Sequence, residues 1–363
     1  MGKPGIGIVG CGAISNIYFK NLCNVLNDVQ VVACADLDNE RMEAKAAEFP
    51  GVVAQSTQEL MQNDKVDVVL NLTTPQAHFS VASQALDAGK HVYNEKPLTL
   101  TREEARELLQ KANDNNLRIG CAPDTFMGAG IQTCRRIIDN GDIGEPLGAQ
   151  AFMLCPGHES WHPDPEFYYQ IGGGPMFDMG PYYLTAMTAL LGPVKKVTGA
   201  TRITSPTRTI TSDKKYGKQI EVEVPTHVTG LLNFENGPIG TITTSFDVIA
   251  AEVPRIEIFG TKGSLSVPDP NTFGGPVRMK GADDDEWREI SLIDGFAENS
   301  RGIGVTDMAA AVADNRPHCA SGDLGYHVLD IMHSIHDAAN QEQHQNLNSG
   351  CERPVAFDSN KFC

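Results

Sequence analysis

At 363 residues the chain is long enough for two domains, each with its own core. Its composition, 41% hydrophobic and 21% charged, is that of an ordinary globular protein, and a net charge of −17 argues against nucleic acid as a partner. No run approaches the roughly 18 apolar residues of a membrane span, and no signal peptide precedes the first strand; nine scattered cysteines, from Cys11 to Cys363 and without a Cys-x-x-Cys pair, point to reduced thiols in a cytoplasmic protein.

The chain opens on a short apolar strand, Gly5 to Val9, followed at once by Gly10-Cys11-Gly12-Ala13-Ile14-Ser15. This is G-x-G-x-x-G with serine in the third place. The first glycine makes the tight turn, the second lets the backbone approach a pyrophosphate, and a helix over 13–26 aims its amino end at the phosphates. Gly10, Gly12, Ala13 and Ile14 are therefore candidate cofactor contacts. A second strand, Val29 to Ala35, ends at Asp36. An acid there accepts the ribose hydroxyls and repels a 2′-phosphate, which favours NAD over NADP. A structural alternative makes Asp36 the N-cap of the helix that follows over 39–49.

Strands and helices go on alternating. A short helix near Gln58 to Gln62 precedes the apolar strand Val66 to Leu72, which ends at Thr73-Thr74-Pro75. A helix over 76–88, a strand His91 to Tyr93, a helix over 101–113 and a strand Leu117 to Cys121 complete the half. Such alternation means a Rossmann-type doubly wound parallel sheet, an α/β fold. Just past His91 to Tyr93 stands Asn94-Glu95-Lys96-Pro97, with the lysine outside the carboxyl end of a strand. In an open α/β sheet that is where ligands bind. Pro97 restrains Lys96 to extended backbone. A pair of solvated charges on a connecting loop is the competing reading of Glu95 and Lys96.

The boundary falls at Ala122-Pro123-Asp124-Thr125-Phe126, giving a cofactor domain over 1–122 and a second domain over 123–363. Beyond a helix near 130–140, strand-like segments dominate: Gly148 to Leu154, Val194 to Ile203, Glu221 to Asn233, Ile239 to Val248 and Arg255 to Phe259. Turns sit at Glu235-Asn236-Gly237 and Thr261-Lys262-Gly263. This second half is α+β, an open, mostly antiparallel sheet with helices on one face. It carries Gly172-Gly173-Gly174-Pro175-Met176-Phe177-Asp178-Met179-Gly180-Pro181-Tyr182-Tyr183, a helix start that sets Asp178 and Tyr182 one turn apart on one face. Upstream lies His158-Glu159-Ser160-Trp161-His162-Pro163-Asp164-Pro165-Glu166-Phe167-Tyr168-Tyr169. Its H-E-x-x-H is nominally a zinc signature, but flanking prolines leave little room for the helix that zinc needs, so no metal is expected. Aromatic faces and polar tips suit a sugar, and Asp124, His158, Trp161, His162 and Tyr169 are candidate substrate contacts, with loop packing or an oligomer contact the bland alternative. On a terminal helix that also carries His327 and Asp330, His333, His336 and Asp337 share a face; a solvated or interfacial face outweighs a metal site there, and His327 is the one placed to reach the cleft. Asp283 to Glu286 reads as a charged hairpin turn.

Three segments in order, Gly7 to Gly12, Asn71 to His78 and Ala88 to Pro97, resemble the glucose–fructose oxidoreductase / inositol dehydrogenase / rhizopine catabolism family (Gfo/Idh/MocA). The resemblance implies that Lys96 of Glu-Lys-Pro lies between nicotinamide and substrate, and that Thr73, Pro75, His78 and Glu95 serve the cofactor site. The segment from Gly172 resembles the family's G-G-G-x-x-x-D-x-G-x-H, with Tyr182 in the histidine place; glucose–fructose oxidoreductase and dihydrodiol dehydrogenase are similar there. The implied activity is NAD-dependent oxidation of a secondary hydroxyl of a sugar, glycoside or polyol by a homo-oligomer, dimer or tetramer. Tyr182 is the acid/base, its pKa lowered by the Lys96 ammonium, with Asp178 beside it. Tyr182 as a buried helix aromatic, Lys96 as sole base, a bound-NAD enzyme that cleaves glycosides through transient oxidation, and a non-catalytic NAD- and sugar-binding regulator are the alternatives.

Overall fold

The computed structural model describes residues 2–362, so Cys363 lies outside the described residues. Two compact units form, the first leading with the alternating elements expected of it. These are β1 (Gly5–Val9), α1 (Ser15–Asn24), β2 (Gln30–Ala35), α2 (Asn39–Glu48), β3 (Val53–Ala54), α3 (Thr57–Gln62), β4 (Val68–Asn71), α4 (Pro75–Asp87), β5 (His91–Asn94), α5 (Arg102–Asp114) and β6 (Ile119–Cys121). All six strands pair in parallel in the order β3-β2-β1-β4-β5-β6. The strand order reverses between β1 and β4, which opens a crevice at their carboxyl ends. Both strands are buried along their whole length, as strands covered by helices on two faces must be. Ser56 with Glu59 and Thr101 with Glu104 form capping boxes that start α3 and α5. The two-residue β3 is too short to announce itself as an apolar run.

The second unit comprises Gly130–Ile293 and Asp330–Arg353. After α6 (Ala129–Asp139) come β7 (Pro146–Leu154), α7 (Gly174–Leu191), β8 (Val194–Arg202), β9 (Thr207–Thr209), β10 (Gln219–Glu221), β11 (His227–Phe234), β12 (Ile239–Ser245), β13 (Ile256–Gly260), β14 (Gly263–Val267), β15 (Val277–Gly281) and β16 (Arg288–Ile290). The run expected as one strand, Glu221 to Asn233, is broken: Pro225, which has no N–H for a ladder, separates β10 from β11. β9 and β10 pair with each other outside the main sheet. The main sheet has the order β16-β15-β14-β13-β7-β12-β11-β8-β17, where β17 is Gln345–Asn346. Its pairings are antiparallel except β7 with β12, which lie parallel. Helix α7 packs against β7, β11 and β12. The expected charged turn is a hairpin between β15 and β16, where the Asp284 carboxylate accepts the Gly281 N–H at 2.8 Å.

The chain then returns to the first unit with Asp294–Leu329 and again from Pro354. That return contains α8 (Ile303–Ala313) and the start of α9 (Gly322–Gln341), while residues 330–341 of α9 belong to the second unit. The α9 histidines were expected on a solvated or interfacial face. Instead His327 is fully buried, and Asp330, also buried, accepts the Ser349 N–H at 3.0 Å. His333, His336 and Asp337 are half-buried, while Ile335 packs on the sheet because Gly199 and Gly230, on β8 and β11, have no side chain to hold the helix off: a Cβ on either would strike Ile335. None of the described helices is long and apolar enough to cross a membrane.

Candidate active site

The glycine turn is shaped by what surrounds it. Gly10 has φ +101°, and a Cβ there would lie 2.7 Å from the Leu72 carbonyl, so the end of β4 leaves room only for glycine. At Gly12 a Cβ would meet nothing within 4 Å, which leaves open space above the backbone ahead of α1. Asp36 ends β2 and accepts the Cys11 N–H at 2.6 Å, fastening the turn to the neighbouring strand. It is not the helix cap: Asp38 caps α2 by accepting the Arg41 N–H at 3.1 Å. The open backbone, the helix amino end and a carboxylate at the tip of β2 fit a dinucleotide. Gly12, Ala13 and Ile14 would face the pyrophosphate and Asp36 the ribose. Ile14 is 37% exposed at the head of the helix.

The second part of this crevice is a buried polar network after β4 and β5. Asn71 donates to the Asn94 side chain at 3.0 Å, and Asn94 donates to the Leu98 carbonyl at 2.9 Å. Thr73 donates its hydroxyl to Asn71 at 2.6 Å. Pro75 opens α4 at its first turn. His78 was expected among the cofactor contacts. It is 1% exposed, with Nδ1 2.6 Å from the Pro97 carbonyl oxygen and Nε2 3.1 Å from that of Thr73. A neutral ring donates to one of the two carbonyls, the nearer being that of Pro97, and its burial leaves no exposed face for a ligand. Burial holds its pKa below the ordinary value, against the pull of both carbonyls. Glu95 is likewise buried, accepting the Tyr18 hydroxyl and the Lys96 N–H, each at 2.9 Å. Its carboxylate positions Lys96 rather than being a solvated loop charge. Tyr18, Asn71 and Asn94 carry this network and were missed as functional residues; only the strand-end position of the two asparagines hinted at it.

In the second unit the aromatic segment ahead of α7 forms a cage. The imidazole of His158 lies with its centroid 3.9 Å from the Tyr168 ring, 4.6 Å from Phe246 and 5.3 Å from Trp161. His158 Nε2 stands 3.6 Å from an Asp178 carboxylate oxygen. Trp161 is 62% exposed, and its edge meets His162, whose Nδ1 accepts the Asp164 N–H at 3.1 Å. Asp178 and Tyr182 share a face of α7, the first half-buried and the second buried. His158 to Trp161 form a turn and not a helix, so the H-E-x-x-H spacing does not put both histidines on one helical face. The β9–β10 arm grips this loop. Lys215 bonds Asp164 at 2.8 Å and Glu166 at 2.6 Å, and Lys214 bonds Asp164 at 2.6 Å. These lysines hold both carboxyls down at about 2.

Two expected substrate contacts are corrected. Asp124 is 1% exposed and accepts the Gly302 and Gly304 N–H groups at 2.8 and 3.0 Å, so it caps α8 from within the first unit. Tyr169 is fully buried and donates its hydroxyl to Glu159 at 2.7 Å. Glu159 in turn pairs with Arg208 at 3.1 Å, and Arg208 also pairs with Asp247. Both residues fix the scaffold.

Comparison with known proteins identifies the family. The family model "Oxidoreductase family, NAD-binding Rossmann fold" matches residues 5–122, and that of the "GFO/IDH/MocA C-terminal domain" matches residues 131–266. Myo-inositol 2-dehydrogenase of Thermotoga maritima is 24% identical over 72% of this chain and 74% of its own. 1,5-Anhydro-D-fructose reductase of Ensifer adhaerens is 29% identical over 71% of this chain and 74% of its own. An NAD binding oxidoreductase from Klebsiella pneumoniae has a similar fold, with a TM-score of 0.81 at 22% identity over 95% of this chain and 99% of that one. Levoglucosan dehydrogenase in complex with NADH and levoglucosan gives 0.80 at 20% identity over the same shares, 95% and 99%. With both domain models matched in order along the sequence, the chain belongs to the GFO/IDH/MocA oxidoreductases and carries that family's NAD-binding Rossmann domain.

Proposed function

We propose that this protein oxidises a secondary hydroxyl of a neutral sugar, glycoside or polyol. The observation that carries the reading is the hold on Lys96: the buried Glu95 carboxylate receives its N–H at the carboxyl end of β5, the same end of the parallel sheet as the glycine turn after β1 and Asp36 after β2. NAD, when bound, is the two-electron acceptor. Lys96 polarises the substrate oxygen, Tyr182 takes the hydroxyl proton, and Asp178 orients the hydroxyl or the phenol. Trp161 offers an exposed aromatic face to C–H groups, and His162 lies at its edge.

An uncharged substrate is favoured because the basic residues around the aromatic loop are already committed. Lys214, Lys215 and Lys218 are paired with Asp164 and Glu166, and Arg208 with Glu159 and Asp247. A carboxylate or phosphate would need such a group unengaged. The names of the relatives, inositol and levoglucosan dehydrogenases, point to the same class. We also propose a homo-oligomer joined through the outer face of the large sheet, where Leu231 and Ile239 are exposed.

The test is NADH formation by purified protein with myo-inositol, levoglucosan and a panel of sugars and glycosides, alongside Lys96→Ala and Tyr182→Phe. Turnover with one class, lost in both variants, is expected. Tight NAD binding with no turnover would replace the reading with a bound-cofactor lyase or a regulator.

A further inference from the structure

We propose that the loop over 161–168 is a platform for two linked sugar rings, so that the substrate is a glycoside rather than a free monosaccharide. The inference rests on the sugar-oxidation reading above and deepens it. Trp161 takes the ring that is oxidised, and Phe167, to which no role has yet been given, takes the next one.

Three observations carry this. Trp161 and Phe167 are 62% and 51% exposed, two large aromatic rings left in water on one short loop. They flank the same imidazole: their centroids lie 5.3 and 5.4 Å from that of His162, and their planes stand at 76° and 78° to it. Secondly, His162 offers a hydrogen-bond donor between them. Its Nδ1 accepts the Asp164 N–H at 3.1 Å, and burial holds its pKa below the ordinary value, so the neutral ring carries its proton on Nε2. No described residue accepts that proton, which leaves it for a sugar hydroxyl or ring oxygen. An aromatic face, a donor and a second aromatic face complement the C–H faces and the intervening oxygens of linked pyranose rings.

Thirdly, the loop is held rigid with its rings outward. The Thr211 and Ser212 N–H groups of the β9–β10 arm donate to the Glu159 carbonyl at 3.0 and 2.9 Å. The Ser212 hydroxyl donates to the His162 carbonyl at 2.8 Å, and Lys215 bridges Asp164 and Glu166. A loop fixed in this way loses little entropy when a ligand settles on it. The order of the two rings follows from His158, which borders Asp178: Trp161 packs on His158 at 5.3 Å, whereas Phe167 is joined to it through Tyr168, at 4.1 Å. The loop also runs from β7 into α7, the helix that carries Asp178 and Tyr182, so the platform continues the proposed catalytic face.

The test is binding measured apart from turnover. Glucose, galactose, maltose, cellobiose and lactose are titrated calorimetrically into the full-length protein saturated with NADH. At least one disaccharide should bind about fivefold or more tightly than its monosaccharides. Phe167→Ala should bring that disaccharide down to monosaccharide affinity, Phe167→Trp should keep the advantage, and Trp161→Ala should weaken both classes. Equal affinity for both classes, binding of none of the five, or an advantage that survives Phe167→Ala overturns the platform. So does a fall in sedimentation coefficient in Phe167→Ala, which would make the ring a contact between copies of the chain. Disaccharide preference without NADH formation from NAD overturns the oxidation reading and leaves the platform standing. NADH formation from monosaccharides with no disaccharide preference does the reverse.

Discussion

His78 Nδ1 lies 2.6 Å from the carbonyl oxygen of Pro97, which locks the turn after β4 to the loop that carries Lys96. Because both ring nitrogens face carbonyls within a buried network, His78→Ala should destabilise the first unit by about 1–3 kcal/mol. It should also lower kcat by loosening Lys96, while leaving the Asp36 end of the cofactor site unaffected. Urea unfolding and NADH-fluorescence titration separate the two effects.

Acid should destabilise the fold through buried imidazoles. Burial pulls His318 from its ordinary 6.5 down to about 4, with its Nε2 3.1 Å from the Ile119 carbonyl oxygen. The folded pKa is the lower one, so below pH 6.5 the unfolded chain gains a proton that the folded chain does not. The stability held above pH 6.5 is lost as pH falls toward 4, roughly 3 kcal/mol in all. His78 acts in the same direction. Unfolding curves at pH 7 and 4.5 should differ by less in His318→Gln than in the parent.

Gly10→Ala and Gly12→Ala should part company. At Gly10 the new Cβ strikes the Leu72 backbone and φ is +101°, so the midpoint of thermal unfolding should fall sharply. At Gly12 the Cβ enters open space and stability should be retained, while NADH affinity drops at least tenfold because the methyl occupies the path of the pyrophosphate. Equal NADH affinity in Gly12→Ala would remove the glycine turn from the cofactor site.

Arg208→Ala should cost about 3–5 kcal/mol. It leaves Glu159 and Asp247 mostly buried, with side chains 11% and 13% exposed, and without their guanidinium. Because Tyr169 bonds to Glu159, the aromatic loop should loosen too. Trp161 fluorescence should then respond to denaturant ahead of global unfolding.

The parts of the fold legible in the sequence are those where the chain's own order sets the local structure. The strand–glycine–helix–strand–acid series and Glu-Lys-Pro are local, and their strand context follows from apolar runs. Asp124, His78 and Tyr169 were misread for one reason: a polar residue in a motif-rich stretch looks alike whether it faces a ligand or a backbone amide. Only the return of residues 294–329 to the first unit reveals that Asp124 caps α8.

By itself the sequence determined the family, the fold class of both halves and the NAD preference of the Rossmann half. Those follow from periodicity, turn chemistry and short-range spacing, which act within a few residues. Tertiary structure alone decided which polar groups are satisfied inside the protein. Glu95 accepts from Tyr18 and from the Lys96 N–H, His78 is buried between two carbonyls, and His158 comes to Asp178 from a separate loop. Burial and long-range hydrogen bonding assign those roles, because a buried polar atom must find its partner wherever the fold brings one.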